Sequence, residues 1–120
     1  MANVQKTVAL IFGVVLLLVG IAGFIDNSLV GDSGYFGTNA THDVLHIIAG
    51  LFGIYVGTKG AGQGYNATIG WIGIVLGVLG FIPGADDLLG KLLLVNTQIT
   101  VLHLVIGVVL LLVYYTAEKQ

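Results

Sequence analysis

Four long apolar stretches divide this chain, at residues 7–25, 40–57, 67–82 and 98–115, and together they hold a single formally charged side chain, Asp43. A bilayer core of about 30 Å takes about 20 helical residues, within a range of about 17–25. The third stretch reaches that length only if Tyr65 and Asn66 begin it. In hydrocarbon every backbone N–H and C=O must be paired within the protein, which makes such stretches helices and not open strands. Gly-rich or Pro-containing segments fall between them, including 59–64 and Pro83-Gly84. Residues 88–95 are apolar again and predict a short interfacial helix. Asn39, Asn66 and Asn96 each precede an apolar run, where an N-cap belongs.

Composition agrees with an integral membrane protein. Charged residues make up 8% of the chain, against about 25% in soluble domains. Apolar residues make up 57%, and 19 glycines add to them. A soluble globular domain and a disordered chain are excluded on these figures. With no arginine, four lysines and a net charge of -2, nothing on the chain would neutralise nucleic-acid phosphates. Cysteine is absent, which removes disulfides, thiolate catalysis and zinc–thiolate sites. The first stretch is longer than the apolar core of a signal peptide and reads as a retained helix.

Lysine placement sets the expected orientation. Four spans put Lys6, Lys59 and Lys119 on one side and Lys91 on the other, with five aspartates. The positive-inside rule then places both termini in the cytoplasm. The tyrosines Tyr35, Tyr55, Tyr65, Tyr114 and Tyr115 lie near expected helix ends, as an aromatic belt would.

A shift of 57 positions aligns the two halves without a gap. Gly13 meets Gly70, Gly20-Ile-Ala-Gly23-Phe24-Ile25 meets Gly77-Val-Leu-Gly80-Phe81-Ile82, Asn39 meets Asn96, Val44-Leu45-His46 meets Val101-Leu102-His103, and Gly50 meets Gly107. One transmembrane domain over 1–120 is therefore expected, with one repeat at about 7–57 and the other at about 67–115. The expected fold is an all-α, four-helix membrane bundle of two duplicated hairpins. An even number of spans per copy makes the repeats parallel, with a pseudo-twofold axis along the membrane normal.

Glycines recur at helical spacing. His42, His46, Gly50, Gly53 and Gly57 form one stripe, and Gly70, Gly73, Gly77 and Gly80 another, with Gly13, Gly20 and Gly23 on the first helix. Helices in lipid associate through close backbone approach, which small residues at three- and four-residue spacing permit. These glycines are the expected helix-packing set.

The pattern Phe12-Gly13-x6-Gly20-x2-Gly23-Phe24-Ile25, followed by Asn39-Ala-Thr-His42-Asp43-Val44-Leu45-His46-x3-Gly50, resembles a prokaryotic family of small four-helix membrane proteins known only as a domain of unknown function. The resemblance covers nearly the whole chain. It implies a prokaryotic cytoplasmic membrane and the four-helix fold, and no activity. The second copy departs from it, with Ile99 and Thr100 where His42 and Asp43 stand.

Ionisable groups inside a span are costly and are functional candidates by default. Here they are His42, Asp43, His46 and His103. His46 and His103 lie seven residues beyond Asn39 and Asn96, at equal depth. If the second and fourth spans face each other, these imidazoles could ligate a b-type haem, or one could hold a chlorophyll magnesium, with Gly50 and Gly107 leaving room for the macrocycle. The plainer expectation is no cofactor, each His donating to a carbonyl or to the other His. His42 and His46, four residues apart, could instead hold a metal with Asp43 beside them. Asp43 is rotated about 100° from His42, and also suits the first turn of a helix, where the dipole favours an anion. No Ser-His-Asp or paired-carboxylate arrangement can be assembled, so no catalysis is expected. The expected role is a structural, accessory or self-assembling subunit in contact with membrane lipid, joining copies of itself or a larger complex through glycine-lined faces. A tetrapyrrole-binding protein is the alternative, and an oligomeric channel or transporter a further one.

Overall fold

A computed structural model describes residues 3–25, 27–31, 34–93 and 95–117. Asp26 and Asp32, two of the five aspartates, and Lys119 lie outside the described residues. The protein is all-α apart from one small bridge. In chain order it forms α1 (Asn3–Ala22), β1 (Val30–Gly31), β2 (Phe36–Gly37), α2 (Ala40–Lys59), α3 (Gln63–Leu79), α4 (Ala85–Leu93) and α5 (Thr97–Thr116).

Among the described residues there are thus five helices, where four were expected. The extra one, α4, is the short segment expected near 88–95, displaced a few residues toward the N-terminus. It carries Asp86 and Asp87 in its first turn and Lys91 in its last, each placed to complement the helix dipole. Its Leu89 is buried while Leu88 and Leu92 are exposed. The helices α1, α2 and α5 are long and apolar enough to cross a membrane. With 17 residues, α3 is shorter, since Gly80 and Pro83 end it early. Strands, not expected at all, do occur: β1 and β2 pair in parallel over two residues, Val30 with Phe36 and Gly31 with Gly37.

Side chains of asparagine set the helix ends. Asn39 accepts from His42 N at 2.9 Å, and Asn96 accepts from Ile99 N at 3.0 Å, so both are N-caps as expected. Asn27 closes α1 from the other end. Its Nδ2 donates to Ala22 O at 2.7 Å, and its Oδ1 accepts from Leu29 N and Val30 N. Asn66 is not the cap expected of it. The N-cap of α3 is Gly62, at φ +87°, and Asn66 lies fully buried inside the first turns. Its Nδ2 donates to Gln5 O at 2.9 Å and to Gln5 Oε1 at 2.8 Å. Gln5 Nε2 in turn donates to Val113 O at 2.9 Å. One buried amide pair therefore ties the start of α1, the start of α3 and the end of α5.

The helices pack in two intimate antiparallel pairs, α1 on α2 and α3 on α5. Glycine makes both seams possible. A Cβ on Gly13 would stand 2.6 Å from Ile54 N, and one on Gly50 would stand 2.5 Å from Leu17 N. In the other pair, a Cβ on Gly73 would stand 2.7 Å from His103 O, and one on Gly107 2.8 Å from Gly70 O. Gly20, Gly53 and Gly57 also face backbone of the neighbouring helix, whereas Gly23, Gly70, Gly77 and Gly80 make room for the side chains of Asp43, Leu111, Leu104 and Thr100. The outward shell is bulky and apolar instead, with Leu18, Phe52, Val75 and Leu112 each half exposed or more. Tyr35, Tyr55 and Tyr115 are exposed. Tyr65 differs from the other tyrosines expected at helix ends, being buried with its hydroxyl donating to Ala49 O at 2.8 Å.

Candidate metal-ligating site

The cap at Asn39 starts α2 so that residue 42 falls in its first turn and residue 46 one turn further on. At 100° per residue His42 lies about 80° around the helix from Gly50, whereas Asp43 lies only about 20° from it. The single stripe expected on α2 therefore divides. Gly50, Gly53 and Gly57 turn toward α1, Asp43 with them, and the histidines point off that seam to the centre of the bundle. Asp43 is 1% exposed, with its carboxylate against Gly23, and its Oδ1 has no hydrogen-bond partner among the described residues.

Across the centre stands α5. The backbones of α2 and α5 stay apart, and imidazoles fill the gap. The cap at Asn96 starts α5 seven residues before His103, the interval that separates Asn39 from His46. The His42 and His46 ring centroids are 4.3 Å apart, those of His42 and His103 5.6 Å, and those of His46 and His103 6.4 Å. One ring nitrogen from each of the three lies within 4.8 Å of the others. His42 is 3% and His103 8% exposed. The end of α4 covers His42, whose Nδ1 lies 3.1 Å from Leu93 O. A carbonyl can only accept, so in this contact Nδ1 carries a proton, and in the neutral ring Nε2 is then bare. His46 and His103 each bury an Nδ1 with no partner among the described residues.

A cavity of about 470 Å³ adjoins the rings, within the usual range for small-molecule sites. Its walls are otherwise apolar, among them Leu16, Ile69, Leu76 and Ile106. Leu45, Ile48 and Ile72 line it while about half exposed, so it opens on the flank of the bundle.

The structure thus brings together His42, His46 and His103, which sequence reasoning had divided between two alternatives. It does not bring Asp43 into the cluster. Nor do Gly50 and Gly107 open a slot beside the rings, because α1 and α3 occupy the space against them. Gln5 and Tyr65 were missed as buried polar ties. The i, i+61 relation between Gln5 and Asn66 leaves no local pattern to find. The Leu93 carbonyl was likewise invisible, since backbone atoms carry no sequence signal.

No curated protein and no solved structure matches the chain. Residues 6–116 match a family described as a domain of unknown function, DUF4383. With nearly its full length matched, the chain belongs to the DUF4383 family.

Proposed function

We propose that the protein is an integral membrane protein of four spans, α1, α2, α3 and α5, built as two copies of one hairpin with both termini in the cytoplasm of a prokaryotic cell. Within the bilayer it holds a ligand rather than turning one over. Three helices of spanning length and apolarity support the location, as does the bulky apolar shell around glycine seams. The β1–β2 loop and α4 would then lie together at the outer face.

The duplication is supported by a reciprocal pair of contacts. Asn39 Nδ2 donates to Leu92 O at 2.9 Å, and Asn96 Nδ2 donates to Tyr35 O at 3.0 Å. Donors and acceptors are each 57 positions apart, so each half gives the other what it receives, as a twofold relation requires.

The observation that carries the binding role is the meeting of three imidazoles beside an apolar cavity. Asp43, the nearest carboxylate in sequence, turns into the α1 seam, which leaves the rings as ligand donors without a paired acid. The filled space at Gly50 and Gly107 favours an occupant smaller than a haem or chlorophyll macrocycle. The same glycines are spent inside the chain, so assembly with copies or a larger complex would use the bulky outer faces instead.

Because the chain has no cysteine, single substitutions report cleanly on topology. Ser28→Cys and Asp86→Cys are expected to react with an impermeant maleimide on intact cells. Ala61→Cys and Thr116→Cys are expected to react only after permeabilisation. Release of the chain by an alkaline wash, or uniform labelling of all four positions, would overturn the reading.

A further inference from the structure

Resting on the reading of the bundle as a ligand-holding module, we propose that His42, His46 and His103 bind one first-row divalent metal ion through three imidazole nitrogens. The donors already lie within 4.8 Å of one another. Imidazole–metal bonds of about 2.0–2.1 Å require them to draw together, which rotation about the broad terminal torsions of His46 and His103 would allow while His42 stays on Leu93 O. His42 and His46 are one turn apart on α2, the spacing with which a single helix presents two histidines to one ion. His103 completes the set from α5, so the ion would clasp one hairpin to the other across the gap between their backbones.

Three further observations point to an ion. The Leu93 carbonyl orients His42 and fixes its tautomer, the outer contact that ligating histidines characteristically make. His46 and His103 hold buried nitrogens without partners among the described residues, and a buried polar atom left unpaired is costly. The Asp43 carboxyl lies outside the ligand set, but it stands within electrostatic reach of His42 and in its ionised form would offset part of the charge an ion brings. The donor set is all nitrogen, which suits zinc, copper, nickel or iron and disfavours calcium and magnesium. Three ligands leave coordination positions open, and the apolar cavity beside them is where a further ligand would enter.

The test uses the full chain, purified in mild detergent with a tag free of histidine and stripped with chelator. Cobalt(II) is the probe. One equivalent per chain is expected, with visible ligand-field bands that zinc abolishes. Zinc should also raise the thermal midpoint. His42→Ala, His46→Ala and His103→Ala should each weaken cobalt binding about tenfold or more and abolish the zinc-induced shift. Circular dichroism identifies any variant that has lost its helices, and the wild-type titration stands without them. A folded wild-type chain that takes up no cobalt, or variants that bind it as tightly as wild type, would overturn the site. A chain that labels with the proposed topology but takes up no cobalt sinks this inference alone. One that binds cobalt but fails the labelling test sinks the bilayer reading instead.

Discussion

Glycine at position 13 and glycine at position 64 look alike in a string of letters and are opposite in space. A Cβ at Gly13 would stand 2.6 Å from Ile54 N and 2.7 Å from Gly53 C, backbone atoms that cannot swing away. A Cβ at Gly64 would meet nothing within 4 Å. Gly13→Ala is therefore expected to cost about 1–3 kcal/mol, the usual cost of overpacking. Gly64→Ala should be neutral or gain about 0.5–1 kcal/mol, because alanine loses less conformational freedom in a helix. Unfolding midpoints in detergent check both, and equal effects would show that the α1–α2 seam is looser than described. Asn66 makes a second case. Asn66→Ala removes two bonds to Gln5 and is expected to cost about 1–3 kcal/mol. Gln5→Ala should cost a similar amount, and the double variant less than the sum, since the two amides share one network.

At the level of elements, the caps do two jobs each. Asn39 satisfies the first turn of α2 and also reaches Leu92 O near the end of α4. Asn96 satisfies α5 and reaches Tyr35 O beside β2. Loss of a cap alone costs about 1 kcal/mol. Asn39→Asp keeps the capping oxygen but removes the Nδ2 donor, whereas Asn39→Ala removes both. Asn39→Ala is therefore expected to destabilise more than Asn39→Asp, with Asn96 behaving alike. Amide exchange over α4 should rise in both Asn39 variants, because each releases the Leu92 contact. Unchanged exchange there would mean that Leu89 burial and the His42–Leu93 contact hold α4 without Asn39.

For the whole molecule, the first described turn of α1 meets the last of α5. Gln5 Nε2 lies 3.3 Å from Ala117 O, so a short flexible linker can join the last described turn to the first. A circular permutant opened between Gly60 and Ala61, in the connection of α2 to α3, breaks neither helix pair. It is expected to purify with the same helicity and a similar unfolding midpoint, because linking ends already in contact adds little closure entropy. A permutant that aggregates would show that the α2–α3 connection, with Gly62 against Gln5 O, does more than join two hairpins.

Much of this was legible in the sequence, for a physical reason. Helix existence follows from long apolar runs between glycine and proline breakers, and helix starts follow from asparagines that supply an acceptor locally, so α1, α2 and α5 and the caps at Asn39 and Asn96 could be read from residues near one another. Glycine spacing likewise announced close seams. What spacing could not assign was which neighbour each face meets. A periodicity of 3.6 residues groups His42 with Gly50, yet the 80° between them is enough to send one to the bundle centre and the other to α1. Only the tertiary structure decided that Asp43 leaves the histidines, that Asn66 joins Gln5 instead of capping α3, and that a third imidazole from α5 completes a cluster near a backbone carbonyl of α4. Local chemistry determined the rods and their ends; the angles at which the rods meet determined the site.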